Sequence, residues 1–421
     1  MERRVIVSAS LAHATTHALE LTFAALLLRI GLEFGADLAV LGAVANVGTF
    51  TFGATALPAG YLSDRFGPRA VMAGCMGVAA VCAVLVAAAP NLLLLAVALA
   101  LLGAAIGLYH PAGTAMVSTV ARRRGLAFAA HGIAGNIGVA LAPAVGVGIA
   151  VGFGWRASYL ALAVLALVVA VLVRRIAPSR EEAAESARQA LRAVSTGASG
   201  LPRSAPPAPR RWLAPPLLLV YLAMVGTGFI YRGSLTFLPT HLERNLGLSV
   251  FGWTPEAVAG AAATLVLFTA VIGQVLGGAL SDRIPIERAA IPIVLLSVPL
   301  LALMAPASGL LLLAASAGFV LFNFAQQPVL NGLVADYAPE HARGQAFGIS
   351  FFMTFGIGSF AGSIAGLVAD RAGTGAMFYM LAGVGVLLAA ALALVALGAE
   401  GRRRTMVDAR EPRDAAGVAA G

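Results

Sequence analysis

Lysine is absent from this 421-residue sequence, so all 28 of its Lys+Arg positions are arginines. Charged residues of both signs are scarce, at 11% against about 25% in an average soluble protein, while hydrophobic residues reach 60%. This composition excludes a soluble enzyme. The only cysteines are Cys75 and Cys82, and two turns of helix would separate them by about 10 Å, which is too far for a disulfide. No redox or metal framework is predicted from the cysteines.

Apolar runs fill nearly the whole chain. A helix needs about 20 mostly apolar residues to cross the bilayer core, and the polar and helix-breaking residues divide the chain into twelve such runs. The sequence therefore predicts an all-α polytopic membrane protein with twelve transmembrane helices. The runs lie near residues 5–31, 38–61, 70–90, 91–118, 125–152, 156–174, 213–240, 255–280, 288–305, 308–335, 344–369 and 374–397.

Two polar segments divide the chain further. Residues 175–211 are rich in Arg, Glu, Ser, Ala and Pro, and residues 399–421 form a polar end. We predict an N-terminal six-helix bundle over 1–174, a cytoplasmic linker over 175–211, a second six-helix bundle over 212–398 and a cytoplasmic tail over 399–421.

The arginines are distributed unevenly across the predicted membrane. On this assignment 23 of the 28 fall on the face that carries both termini, whereas only Arg156, Arg244 and Arg371 fall on the other. Arg29 and Arg232 lie within helices or at their edges. The asymmetry predicts cytoplasmic termini, and it attributes the basic character to topology rather than to nucleic-acid binding.

An internal repeat relates the two halves. The segment Gly60-Tyr-Leu-Ser-Asp-Arg65 recurs as Gly278-Ala-Leu-Ser-Asp-Arg283, an offset of 218, and Pro111 recurs as Pro328, an offset of 217. Arg124-Gly-Leu-Ala-Phe128 recurs as Arg343-Gly-Gln-Ala-Phe347, an offset of 219. Since both Asp-Arg loops fall on the same face, the repeats are predicted to run parallel, about an axis along the membrane normal.

The loop from Gly60 to Arg69 resembles the signature loop of the major facilitator superfamily, with Pro68 in place of one usual basic residue. The resemblance implies the fold of that superfamily. It also implies a conformational latch on the cytoplasmic face, to which the repeat adds a second copy. The alternative is that Asp64 and Arg65 only cap and orient a turn. The latch residues are Asp64, Arg65, Arg69, Asp282 and Arg283.

Two further motifs narrow the resemblance. Gly138, Pro143 and Gly146 are similar to the glycine-proline motif of the superfamily's exporters, and ordinary helix packing is the alternative. Tyr109-His110-Pro111, followed by Arg124-Gly-Leu-Ala127 and Gly135-Asn136, resembles the fosmidomycin-resistance branch. That branch usually has Asp four residues after the first His, where this chain has His17.

The first predicted helix carries ionisable groups. His13, His17 and Glu20 share one face, and ionisable groups inside a membrane are functional candidates, so we predict a proton or substrate site. Two alternatives are structural hydrogen bonds across a helix interface and a metal site. Arg232 either faces a central cavity and attracts an anion or extends to the interface. Other candidates for the site are His110, His131, Asn136, Gln274, Asn323, Gln326 and Gln327, although His110, His131, His241 and His341 are dispersed in the sequence, the last two in predicted loops.

These features favour a secondary active transporter over an enzyme. The expected function is proton-coupled efflux, by antiport, of a small polar, anionic or amphiphilic molecule such as a drug. The alternatives are a proton-coupled importer of an organic acid and, more remotely, a membrane-embedded metalloenzyme. No P-loop occurs, and we predict no metal, cofactor or nucleic-acid partner. The expected setting is a bacterial inner membrane, with the chain as a monomer and with a small-molecule substrate, protons and lipid as its partners.

Overall fold

The computed structural model describes residues 1–120, 124–179, 181–182, 185, 215–250, 252–281, 283–338 and 343–408. These residues form helices and short connections without any β-strand. Most of the predicted linker, the tail beyond residue 408 and Asp282 lie outside the described residues, as does the side chain of Asp64. The predicted domain boundaries at 174, 211 and 398 stay a prediction.

Among the described residues, the first half of the chain contains eight helical segments. Several of their ends fall at Gly or Pro, and α3 and α5 begin after the capping residues Asp37 and Asn91, whose side chains accept hydrogen bonds from Val40 N and Leu94 N. The segments are α1 (Glu2–Ala25), α2 (Leu27–Phe34), α3 (Leu38–Phe66), α4 (Pro68–Ala88), α5 (Leu92–Gly107), α6 (Tyr109–Val120), α7 (Arg124–Phe153) and α8 (Trp155–Ile176).

The second half repeats this pattern. Its segments are α9 (Pro215–Asn245), α10 (Pro255–Ser281), α11 (Ile286–Met304), α12 (Gly309–Tyr337), α13 (Arg343–Phe351), a π turn (Phe352–Gly356), a 3₁₀ turn (Ile357–Phe360) and α14 (Ala361–Asp408). In the part of the chain that the structure describes, ten helical runs are long and apolar enough to cross a membrane, and the bent pair α1–α2 makes an eleventh. The run Ala346–Gly398 breaks at Gly373, where φ is 84°, and so forms two spans. The predicted twelve-helix architecture is confirmed.

The helices extend beyond the predicted apolar runs, because hydrophobicity marks only the part of a helix inside the hydrocarbon. One prediction was wrong for this reason. His241 was expected in a loop, but it is buried within α9, where its ring lies 2.7 Å from Thr374 Oγ1 and 2.9 Å from the Met304 carbonyl oxygen. His241 therefore joins elements of the second half, whereas His341 lies outside the described residues.

Two irregular segments lie at the centre of the fold. The α5–α6 break falls at Gly107 and Leu108, because the ring of Pro111 clashes with the carbonyl four residues before it. The π turn at Phe352–Gly356 interrupts the eleventh span, and α3 crosses it so closely that a Cβ atom on Gly53 would overlap the backbone of Gly356. Local widening of this kind is frequent at functional sites.

The two halves are joined on the face opposite the N-terminus. The Arg29 side chain of α2 donates to the Glu256 carboxylate of α10 at 2.5 Å. The carboxylate of Asp370, from α14, accepts from Leu38 N at 3.0 Å and Ala39 N at 2.5 Å. Asp370 thus caps a helix of the other half. These contacts close the molecule on that face.

On the N-terminal face, α1 is fastened to the end of α8. Arg4 donates to the Ile176 carbonyl at 2.8 Å and to Glu182 at 3.0 Å. The backbone amide of Ser179 and the Arg4 guanidinium hold the pKa of the Glu182 carboxyl below its usual range.

Candidate functional site

A chain of hydrogen bonds runs along the buried face of α1. His13 Nδ1 lies 2.8 Å from the His131 carbonyl oxygen, and His13 Nε2 lies 3.1 Å from His17 Nε2. His17 Nδ1 in turn lies 2.6 Å from Glu20 Oε2. The side chains of His17 and Glu20 are 10% and 3% exposed. Helical spacing of i, i+4 and i+7 therefore aligns the three side chains, as predicted.

The chain of hydrogen bonds ends on an arginine from the other half of the molecule. Arg232, from α9, forms an ion pair with the remaining oxygen of Glu20, and its side chain is only 4% exposed. Its guanidinium lies 5.3 to 5.9 Å from the ring centroids of Tyr231, Phe355 and Phe52, which stabilise a buried cation through their faces. Of the two predicted positions for Arg232, the structure has the interior one.

His110 and His131, dispersed in sequence, join the same cluster. The ring of His13 lies 4.2 Å from that of His131 and 5.1 Å from that of His110, measured between centroids. His110 is brought there by the break before Pro111, and it stacks on Phe351 at 5.5 Å. The interpretation of His110 and His131 as dispersed was therefore wrong for the folded protein, because α6 and α7, which carry them, both pack against α1.

The hydrogen bonds set how many protons the cluster can hold when all of these bonds are formed. Three bonds in a row require three protons, and each neutral imidazole supplies one. The His131 carbonyl and an ionised Glu20 can only accept. Two neutral histidines therefore leave one bond without a proton, and the arrangement needs one more, on an imidazole or on Glu20. With that proton, the cluster including Arg232 has a net charge of +1; without it, the net charge is zero.

Three of these histidines also have the spacing of a metal site. Nitrogen atoms of His13, His17 and His110 lie within 4.8 Å of one another. However, both ring nitrogens of His13 and of His17 already take part in hydrogen bonds. Only His110 Nε2 is buried without a partner. A metal ion would therefore have to break the chain of hydrogen bonds, whereas a proton completes it.

Other predicted polar residues lie inside the molecule but do not bond to the cluster. Gln274 donates to Gln327 at 2.9 Å, within the second half. Asn136 Nδ2, Asn323 Oδ1 and both amide atoms of Gln326 are buried without a hydrogen-bond partner. Unpaired buried polar atoms are costly, so this second group is available to a polar ligand or to water.

The predicted latch residues are placed only in part. Arg65 donates to the Tyr61 hydroxyl at 3.1 Å, and Arg69 donates to the Arg174 carbonyl at the end of α8. Arg283 is exposed. Because the Asp64 side chain and Asp282 are not described, the latch stays a prediction.

The predicted packing motif lies where α7 meets α1. A Cβ atom on Gly138 would overlap the Ala14 carbonyl, whereas one on Gly146 would be in tight contact with Thr22. Pro143 lies inside α7. Gly138 thus allows the close approach of the helix that carries the histidines.

Sequence reasoning missed several residues of the site. A Cβ atom on Gly135 would lie against the His13 ring, so only glycine leaves room for that ring. Tyr109 donates to the Ala9 carbonyl and stacks on His13, at 5.4 Å between centroids. Both residues belong to motifs that were noticed in the sequence. Their contacts could not be deduced, because the motif gives no relative rotation of the helices.

Twelve helices in two parallel halves, with a buried ion pair between the halves, define the architecture of a membrane transporter. A profile of the Major Facilitator Superfamily matches residues 9–363 and 248–417. The chain belongs to the Major Facilitator Superfamily. Membership indicates a transporter rather than an enzyme.

Solved transporter structures share the fold. The chain is similar to the xylose transporter XylE from E. coli in its inward-open conformation, with a TM-score of 0.73, 15% identity and 92% and 95% of the two chains covered. It is also similar to the peptide transporter POT in complex with sulfate, with a TM-score of 0.72, 16% identity and coverage of 93% and 94%. The chain is similar as well to a bacterial homolog of the human lysosomal transporter Spinster, with a TM-score of 0.72, 15% identity and coverage of 93% and 96%. No curated protein sequence matches the chain.

Proposed function

We propose that this protein is a proton-coupled secondary transporter for a small polar, anionic or amphiphilic molecule. The single observation that carries the proposal is the buried chain of hydrogen bonds from His13 through His17 to Glu20, whose geometry can accommodate one proton beyond those of neutral histidines. Buried ionisable groups in a membrane protein are costly to maintain. Binding and release of a proton during transport would give these buried ionisable groups a function.

The ion pair with Arg232 supplies a means of coupling. Glu20 and Arg232 lie on different halves, so alternating access changes their separation. When the cluster loses its proton, Glu20 interacts with Arg232 as a full charge. When the proton is present, Glu20 shares its charge with His17 or is neutral, and the bond between the halves weakens. Protonation and the position of the halves are thereby linked.

The first candidate is efflux by antiport from the cytoplasm of a bacterium, with both termini cytoplasmic and the protein a monomer. It is supported by the resemblance to the fosmidomycin-resistance branch, which implies drug export and antibiotic resistance, and by the glycine-proline motif of α7. A proton that enters down about 100 mV contributes roughly 2.3 kcal/mol. This free energy supports a gradient of about fifty-fold for a neutral solute.

Charge balance favours a second candidate, import of an organic acid by symport. The protonated cluster has one net positive charge, and an anion that binds Arg232 would neutralise it. The empty, deprotonated cluster is already neutral because Glu20 pairs with Arg232. In a symporter with this site, the cluster would therefore be neutral whenever the two halves change position. No net charge would then have to cross the low-dielectric interior.

One experiment tests the proposal and separates the two candidates. The protein is reconstituted in liposomes without gradients, and fosmidomycin or a small organic acid is added outside while external pH is recorded. Antiport acidifies the external medium because protons leave as solute enters, whereas symport makes it alkaline. The Glu20→Gln variant should give neither change. Uptake of a probe by the wild type without any proton movement would contradict the proposal.

A further inference from the structure

A groove opens between α4 and α8 at the end of the molecule that carries the N-terminus. It encloses about 500 Å³, and its walls are formed by Ala70, Ala73, Gly74, Ala170 and Val171, with Arg174 and Arg175 at its end. Ala70, Gly74 and Val171 are exposed. Since α4 and α8 are membrane spans, the groove faces the surrounding lipid.

The groove is shaped by small side chains. The position of a Cβ atom on Gly74 has no other atom within 4 Å, so this part of the wall borders open space. Lipid-facing surfaces of the same helices carry larger exposed residues such as Val78, Val81, Leu165 and Leu167. An acyl chain fits against a recess of this kind through dispersion contacts alone.

Positive charge is concentrated at one end of the recess. Arg174 and Arg175 occupy the last turn of α8 and are exposed, and among the described residues no carboxylate forms an ion pair with either. One acid on this face, Glu182, is already bound by Arg4 and by the Ser179 amide.

Two further features point to a ligand at this end. Arg69 donates one nitrogen to the Arg174 carbonyl, while its Nε is buried without a hydrogen-bond partner. In addition, α4 begins at Pro68 without a side-chain cap. The free amides and positive end of such a helix favour a phosphate.

We propose that this groove binds an anionic phospholipid, with its phosphate against Arg174 and Arg175 and one acyl chain along Gly74. A soluble anion would use only the charged end, and a zwitterionic lipid would place its own cation beside the arginines. An anionic lipid alone matches both the apolar recess and the charge. This site is separate from the proton cluster and independent of the transport proposal.

Native mass spectrometry on the delipidated full chain in detergent tests this proposal, with phosphatidylglycerol and phosphatidylcholine as probes. We expect tighter retention of phosphatidylglycerol. Arg174→Gln and Arg175→Gln should each weaken it about fivefold, because one arginine near a lipid headgroup contributes about 1 kcal/mol. Gly74→Leu should also weaken it, since the new side chain fills the recess.

Two matched controls belong to this experiment. Gly383→Leu adds the same side chain at an exposed position of α14, in the other half of the molecule, where its Cβ also meets nothing within 4 Å. Arg3→Gln removes an exposed arginine from the same face. Both should leave retention unchanged, and thermal melting confirms that each variant is folded. Equal retention of the two lipids, retention unaffected by the groove variants, or displacement by inorganic phosphate would overturn the proposal.

Discussion

At the scale of single residues, Glu20 and Arg232 stabilise each other in a buried environment. Removing one partner of a buried pair leaves an uncompensated charge, which costs about 3–5 kcal/mol. We therefore expect Arg232→Gln to lower the free energy of unfolding by an amount in this range, and Glu20→Gln in the same chain to restore much of it. Chemical denaturation in detergent measures both. Arg244→Gln, an exposed arginine on the same helix, is the control; additive losses in the double variant would contradict the pairing.

Gly135 is the residue whose substitution should disturb the histidines most directly. In Gly135→Ala the new Cβ would overlap the His13 ring, so the ring must move and its bond to His17 is lost. We expect a loss of stability of about 1–3 kcal/mol, typical of an overpacked core, together with reduced proton coupling.

The matched control for Gly135 is Gly148→Ala, on the same helix, where a Cβ atom meets nothing within 4 Å. This change should be neutral or slightly stabilising, since alanine favours helix over glycine by up to about 1 kcal/mol. Equal effects of the two substitutions on thermal stability would show that the His13 contact is unimportant.

At the scale of elements, Asp370 joins the halves by capping α3 from across the interface. Asp370→Ala should destabilise the conformation in which that face is closed by about 1 kcal/mol, the usual contribution of a helix cap. The conformation in which the face is open should be unaffected. The population opened on that face should rise about fivefold. Electron spin resonance distances between labels at Leu32 and Ser249, one on each half, measure this shift.

Asp37→Ala provides the control for that experiment. Asp37 caps the same helix, through a 2.8 Å bond to Val40 N, but from within the first half. Its loss should destabilise α3 without lengthening the distance between the labels. The same lengthening in both variants would rule out a specific role for Asp370.

The elements also show how far the sequence could predict the structure. Twelve spans followed from hydrophobicity, because the bilayer demands a minimum length of apolar helix. Pro111 accounts for the break at Leu108, since proline clashes with the preceding turn. The 51° bend between α1 and α2 falls at Leu26, with no proline or glycine there, so no residue type signalled it.

The candidate site was predictable only along one helix. The i, i+4, i+7 spacing placed His13, His17 and Glu20 together, whereas the approach of His110 and His131 depends on how α6 and α7 rotate against α1. The internal repeat does not fix that rotation. Nor could the choice between interior and interface for Arg232 be made, because it depends on Glu20 and on two aromatic rings, those of Phe52 and Phe355, that are distant in sequence.

At the scale of the whole molecule, the arginine asymmetry predicts the orientation in the membrane. After replacement of Cys75 and Cys82 by alanine, single cysteines are introduced at Ser195, in the linker, and at Ser249, which is exposed on the opposite face. We expect an impermeant thiol reagent to label the Ser249 position in intact cells and the Ser195 position only after lysis. The reverse labelling pattern would show that the protein has the opposite orientation in the membrane.

The central claim is that the cluster between the halves holds one exchangeable proton. The most direct measurement is the number of protons bound by purified protein, followed with indicator dyes over the pH range in which the protein stays folded. The account predicts that the wild type binds one proton per chain more than Glu20→Gln, while Glu2→Gln, outside the cluster, matches the wild type. His17→Asp should keep part of this binding. Equal proton numbers in the wild type and Glu20→Gln would contradict the account.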